Sequence, residues 1–143
     1  VSKEDEHMMD IELTDKQFRR LLDLVYIGNW VLNSIRGNDR ITDYDEVESV
    51  LFEKCLQHGM TALAEREGGR AVPSRAFIEG GIHEAIMDYE DSVFFEILAE
   101  ELARRDMQME GLSTCDPEEV NRRMSEYIAE FEMNGIDNIN VNM

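Results

Sequence analysis

The chain has 143 residues, about one domain by the usual range of roughly 100–200 residues each, and is long enough to bury a core without disulfide or metal staples. Its 32 acidic and 14 basic side chains give a formal charge of −18. A surface of that sign repels nucleic-acid phosphates and anionic headgroups, which argues against direct binding to DNA, RNA or a membrane.

Residues 1–12 carry Glu4, Asp5, Glu6, Asp10 and Glu12 with few apolar anchors, and read as a flexible acidic arm before a single helical domain over 13–143. The segment Val1–Asp10 lacks the basic n-region and apolar h-region of a signal peptide. Thr14 opens the first predicted helix, with Gln17 at capping-box spacing, and the helix is expected over about 15–34. Its apolar residues, from Phe18 through Trp30 to Ile35, cover more than one stripe. A helix apolar on most sides is packed on most sides, so this one is expected at the centre of the bundle or at the seam of a homodimer. Gly28 in its interior fits a close helix crossing, and Gly37 fits the residue after the C-cap. The run Leu24–Leu32 is broken by Gly28 and Asn29 and is far short of the ~20 residues that span a bilayer.

Thr42 opens a second helix with Asp43, Asp45 and Glu46 in its first turn, where negative charge complements the helix dipole. Tyr44, Val47, Val50, Leu51 and Cys55 follow at helical spacing, and a short third helix fits around Met60. Glu65 to Arg70, with Gly68-Gly69, reads as a loop. Val72-Pro73-Ser74 is extended, and Ser74 caps a helix that Gly80 and Gly81 weaken. From Asp91 to Asp106 the helical signal returns, with Phe94, Phe95, Ile97, Leu98, Leu102 and Ala103 on one broad face. Met107 to Cys115 reads as a connector. Asp116-Pro117 then starts the last helix with an N-cap and a proline at its first position. Gly135 ends it, and the alternating Ile139, Val141 and Met143 predict a short strand or extended tail. The expected fold is therefore all-α or nearly so, an irregular bundle of five to six helices with a short strand at the C-terminal tail.

Little in the sequence specifies a reaction. Cys55 and His58 share a helix face, but two ligands do not make a zinc site. Glu79 and His83 lie one residue too far apart for the Glu-x-x-His pairs of di-iron bundles. Cys55 and Cys115 read as reduced thiols of a cytoplasmic protein. No cofactor is implied. The best candidate for a Mg²⁺ site is Glu84, Asp88 and Asp91, joined by Glu46 of the second helix. The segments Asp43-Tyr44-Asp45-Glu46 and Asp88-Tyr89-Glu90-Asp91 give this pairing a spacing that resembles the all-α nucleotide pyrophosphohydrolases of the MazG and dimeric dUTPase type. That family pairs Glu-x-x-Glu on one helix with Glu-x-x-Asp on the next, whereas both segments here begin with Asp. The resemblance implies a Mg²⁺-dependent hydrolase.

The preferred reading is a non-enzymatic interaction or regulatory domain whose acidic surface meets a protein partner with a basic surface. A nucleic-acid mimic is its special case, and Glu118, Glu119, Glu126 and Glu130 on the last helix are the candidate contact residues.

Overall fold

A computed structural model describes residues 6–143. Helix accounts for 64% of the described residues, which also hold one two-stranded sheet. The elements in order are α1 (Asp15–Asn33), α2 (Thr42–Gln57), β1 (Ala64–Glu67), β2 (Arg70–Pro73), α3 (Arg75–Phe77), a π-helical segment (Ile78–Ile82), α4 (His83–Met109) and α5 (Pro117–Asn134). Glu4 and Asp5 of the expected arm lie outside the described residues. The chain divides after His83 into two compact units, each described here by itself.

The N-terminal unit starts with the capping box read from the sequence: the Thr14 hydroxyl accepts the Gln17 N–H at 3.1 Å, and the Gln17 side chain accepts the Thr14 N–H at 2.9 Å. α1 ends at Asn33 with Ser34 as its cap, three residues before Gly37, so Gly37 does not terminate it. α2 begins at Thr42 with Ile41 at the cap position and no side-chain cap, so Thr42 is a helical residue and not the cap. The expected loop over Glu65 to Arg70 is instead strand on either side of the Gly68-Gly69 turn of an antiparallel hairpin, which pairs Ala64 with Pro73 and Glu67 with Arg70. Gly68 and Gly69 both take positive φ, 59° and 81°, which a two-residue hairpin turn requires and other residues resist. Ser74 then does cap α3: its hydroxyl accepts the Phe77 N–H and donates to the Ala62 carbonyl. Leu22, Tyr26, Phe52, Cys55, Ala71 and Phe77 form the core of this unit, with Phe52 and Tyr26 both edge-on to Phe77. The Arg19 guanidinium lies 4.9 Å over the Phe77 ring.

Two expectations for α1 do not hold. A Cβ on Gly28 would meet nothing within 4 Å, so no close helix crossing explains that glycine. Leu24, Val31 and Ile35 are exposed, so the helix is not packed on most sides within this chain.

α3 runs through the π-helical segment into α4, broken only where Gly81 turns to φ 110°. Counting that run once gives four helices among the described residues, fewer than the expected five to six. The difference arises because the helix expected from Ser74 and the one expected from Asp91 form one run, continuous through 89–91, and because Met60 lies outside any helix. In the C-terminal unit α4 and α5 pack as a helical hairpin. α4 continues to Met109, past the expected start of the connector. α5 begins as expected, with the Asp116 carboxylate accepting the Glu118 and Glu119 N–H groups and Pro117 in the first turn. Gly135 ends it. The tail forms no strand: residues 135–138 are turn, and 139–143 have no regular structure.

Candidate functional site

Acidity is unevenly divided between the units. Residues 84–143 hold 16 acidic side chains against four arginines, whereas residues 1–83 hold 16 against ten basic ones. All four arginines of the C-terminal unit are engaged within it. Arg104 pairs with Glu100 at 2.8 Å and donates to the Thr114 carbonyl, and Arg105 pairs with Asp106. Arg122 spans Glu119 and Glu126, and Arg123 spans Glu119 and Glu110. Hydrogen bonds from both arginines hold the Glu119 carboxyl down at about 2. The Tyr127 hydroxyl donates to Asp106 and lowers its pKa, while burial and that same carboxylate push the Tyr127 phenol up.

These pairs decide which acids face solvent with uncompensated charge. Of the residues expected on the outer face of the last helix, Glu119 and Glu126 are neutralised by arginine, and Glu130 accepts from Asn134 and Asn138 at 3.1 and 2.6 Å. Glu118 stands exposed in the first turn of α5. On α4, Met87, Glu90, Asp91, Phe94, Ile97 and Glu101 recur at three- and four-residue steps and are all exposed, a mixed acidic and apolar face.

Beside that face, α4 and α5 enclose a groove of about 500 Å³. Phe95, Ile128 and Phe131 form its floor, with the Phe95 and Phe131 rings 5.4 Å apart and Tyr127 stacked on Phe131. Asp91, Glu96 and Glu132 stand around its rim, each exposed and, among the described residues, without an ion pair. A second groove of about 420 Å³ shares Glu96 and continues past Glu100 to Val120 and Met124. The first groove is apolar with a negative edge, whereas the second is also lined by Arg104, Thr114 and Asn121. Sequence periodicity identified the apolar residues of both helices; the rim required knowing which acids arginine neutralises.

Glu84, Asp88 and Asp91 are exposed along α4, and Glu46 is exposed on α2. Among the described residues no group of three or more His, Cys, Asp or Glu side chains is placed to hold a metal ion. Both cysteines are free; Cys55 is buried, which raises its pKa, and Cys115 is exposed. Among the described residues no helix is long and apolar enough to cross a membrane.

The N-terminal unit holds a polar network that the sequence reading passed over. Asn33, fully buried on α1, exchanges two hydrogen bonds with the Ile41 backbone, donating at 3.0 Å and accepting at 2.8 Å. It also donates to the Asn29 carbonyl oxygen at 2.6 Å. Asn29 in turn donates to Asp45 at 2.9 Å and to Glu48 at 3.1 Å. Arg40 closes on Asp45 with two bonds of 2.7 Å, which hold that carboxyl below its ordinary range. Glu48 has only the Asn29 amide, and burial pushes its carboxyl up. Two asparagines four residues apart in the mainly apolar second half of α1 are the available signal, because a polar group buried in a helix must find partners.

No family model, curated protein or solved structure matches the chain.

Proposed function

We propose that the chain is a protein-interaction module whose C-terminal unit takes a basic, apolar-anchored segment of another protein into the α4–α5 groove. The observation that carries this reading is the pairing of an aromatic floor, Phe95 and Phe131, with a rim of uncompensated carboxylates at Asp91, Glu96 and Glu132. Apolar burial supplies most of the affinity in such a site. The rim sets orientation and selects charge, since opposite potentials steer encounter and like charges reject wrong partners. A partner helix carrying leucines at i, i+3 and i+7 with lysines on its flanks fits both features, as in other helix-in-groove complexes.

The reading narrows the expected acidic surface to one place. Arginine neutralises much of the outer face of α5, so an extended row of phosphate-like charges is not supported there. The test is fluorescence anisotropy of a labelled 16-residue amphipathic peptide of leucine and lysine, titrated with the whole chain. Saturable binding at 50 mM salt, weakened about tenfold or more at 500 mM, with none for the leucine–glutamate counterpart, is the expected result. Equal binding of both peptides, or none of either, overturns the proposal.

A further inference from the structure

A second cavity lies wholly within the N-terminal unit and is independent of the groove. It has a volume of about 220 Å³ and is lined by Tyr26, Asn29, Trp30, Ser34, Arg40 and Glu48. Its walls combine aromatic rings with one carboxylate. Tyr26 and Trp30 lie stacked with centroids 6.5 Å apart and planes 23° from parallel. His83 packs edge-on against both, at 5.5 and 4.7 Å, and shares a 2.6 Å hydrogen bond with the Tyr26 hydroxyl. That bond and the buried setting of Tyr26 fix the ring, so the aromatic wall is built before any ligand arrives.

The charge at the site is set by which groups are already occupied. Arg40 spends its bidentate fork on Asp45, and the two cancel. Glu48 accepts one hydrogen bond, from Asn29, and forms no ion pair among the described residues. One half-buried carboxylate beside aromatic faces remains uncompensated. Aromatic faces attract cations through the ring quadrupole, more strongly as the site is desolvated, and a charge-assisted bond to a carboxylate is the natural complement. A volume near 220 Å³ is small beside the pockets that hold drug-sized ligands, which start at roughly 300 Å³. It suits a group of a few heavy atoms.

We propose that this cavity is a binding site for an organic monocation, an alkylammonium or alkylguanidinium head, held between the Trp30 and Tyr26 rings and the Glu48 carboxylate. The head belongs either to a free amine or to a lysine or arginine side chain of a partner; the chemistry recognised is the same. An anionic ligand is disfavoured, because the one cation lining the cavity is already paired.

The chain has a single tryptophan, so its fluorescence reports on this cavity directly. The whole protein is titrated with n-butylammonium, n-butylguanidinium, neutral n-butanol, butyrate, and the blocked tripeptides acetyl-Gly-Lys-Gly-amide and acetyl-Gly-Arg-Gly-amide. The expected result is a saturable change with at least one of the two free cations, none with butanol or butyrate, and about tenfold weaker binding to Glu48→Gln. Tripeptides that bind as well as the free cations place the head on a protein; binding of the free cations alone makes the ligand a small amine. No saturable change with either free cation, an equal response to butanol, butyrate binding in place of the cations, or undiminished affinity of a folded Glu48→Gln overturns the proposal. Loss of peptide binding at the α4–α5 groove would leave this result untouched, because the two sites share no residue.

Discussion

Glu48 shows how one side chain can serve a site at the expense of the fold. Desolvation and the nearby Asp45 charge raise its pKa, while Asn29 and Arg40 pull the other way without cancelling the rise. A carboxyl whose pKa is higher folded than unfolded binds its proton more tightly in the fold. Stability therefore falls as pH rises through the window from the ordinary glutamate value, about 4.3, to the raised one, and the penalty persists above it. Glu48→Gln keeps an acceptor for Asn29 and removes the charge. The variant is expected to melt above the wild type at pH 7, with the gain shrinking as pH falls below 5; an unchanged or lower midpoint at pH 7 would refute this account of the residue. Asn33 works in the opposite sense. Replacing it with alanine strands the Ile41 N–H and breaks the link to Asn29, a loss of about 1–3 kcal/mol by chemical denaturation. Neither role was readable from the sequence. In the sequence Asn29 reads as an interruption of an apolar run, and its carboxylate partners come from α2, which periodicity along α1 does not reveal.

At the scale of elements, helix starts were legible and helix ends less so. Thr14 with Gln17, Ser74 and Asp116-Pro117 each carry their partners within three residues, so local spacing was enough. The hairpin, the π-helical segment and the strandless tail turn on backbone angles at glycine or on pairing between segments, which residue type alone does not fix. Two glycines make the distinction testable. Gly28 has an ordinary helical φ and open space for a Cβ, so Gly28→Ala is expected to stabilise by about 0.5–1 kcal/mol. Gly81 sits at φ 110°, so Gly81→Ala is expected to destabilise by about 1–2 kcal/mol despite equally open space. Denaturation midpoints of the two variants should move in opposite directions. Movement in the same direction would mean that the break between α3 and α4 is misassigned.

Over the whole molecule, the charge of −18 conceals two different surfaces. The N-terminal unit sets ten basic residues against its 16 acids, several of them in ion pairs such as Arg66 with Glu53. The C-terminal unit has four arginines and uses them all internally, leaving acids without an ion pair on α4, around the groove and at Glu118 of α5. Composition showed that acid was in excess but not where it would be free, because that depends on which carboxylates the arginines reach. The decisive measurement compares two charge-removing variants of the whole chain in the leucine–lysine peptide titration. One removes the rim, Asp91→Asn with Glu96→Gln and Glu132→Gln. The other removes three acids of the α5 outer face, Glu118→Gln with Glu126→Gln and Glu130→Gln. Both lose three charges, so a general attraction to negative protein weakens them equally. The groove account predicts at least about tenfold weaker binding for the rim variant and near wild-type binding for the α5 variant. Equal weakening, or the larger loss in the α5 variant, would contradict it.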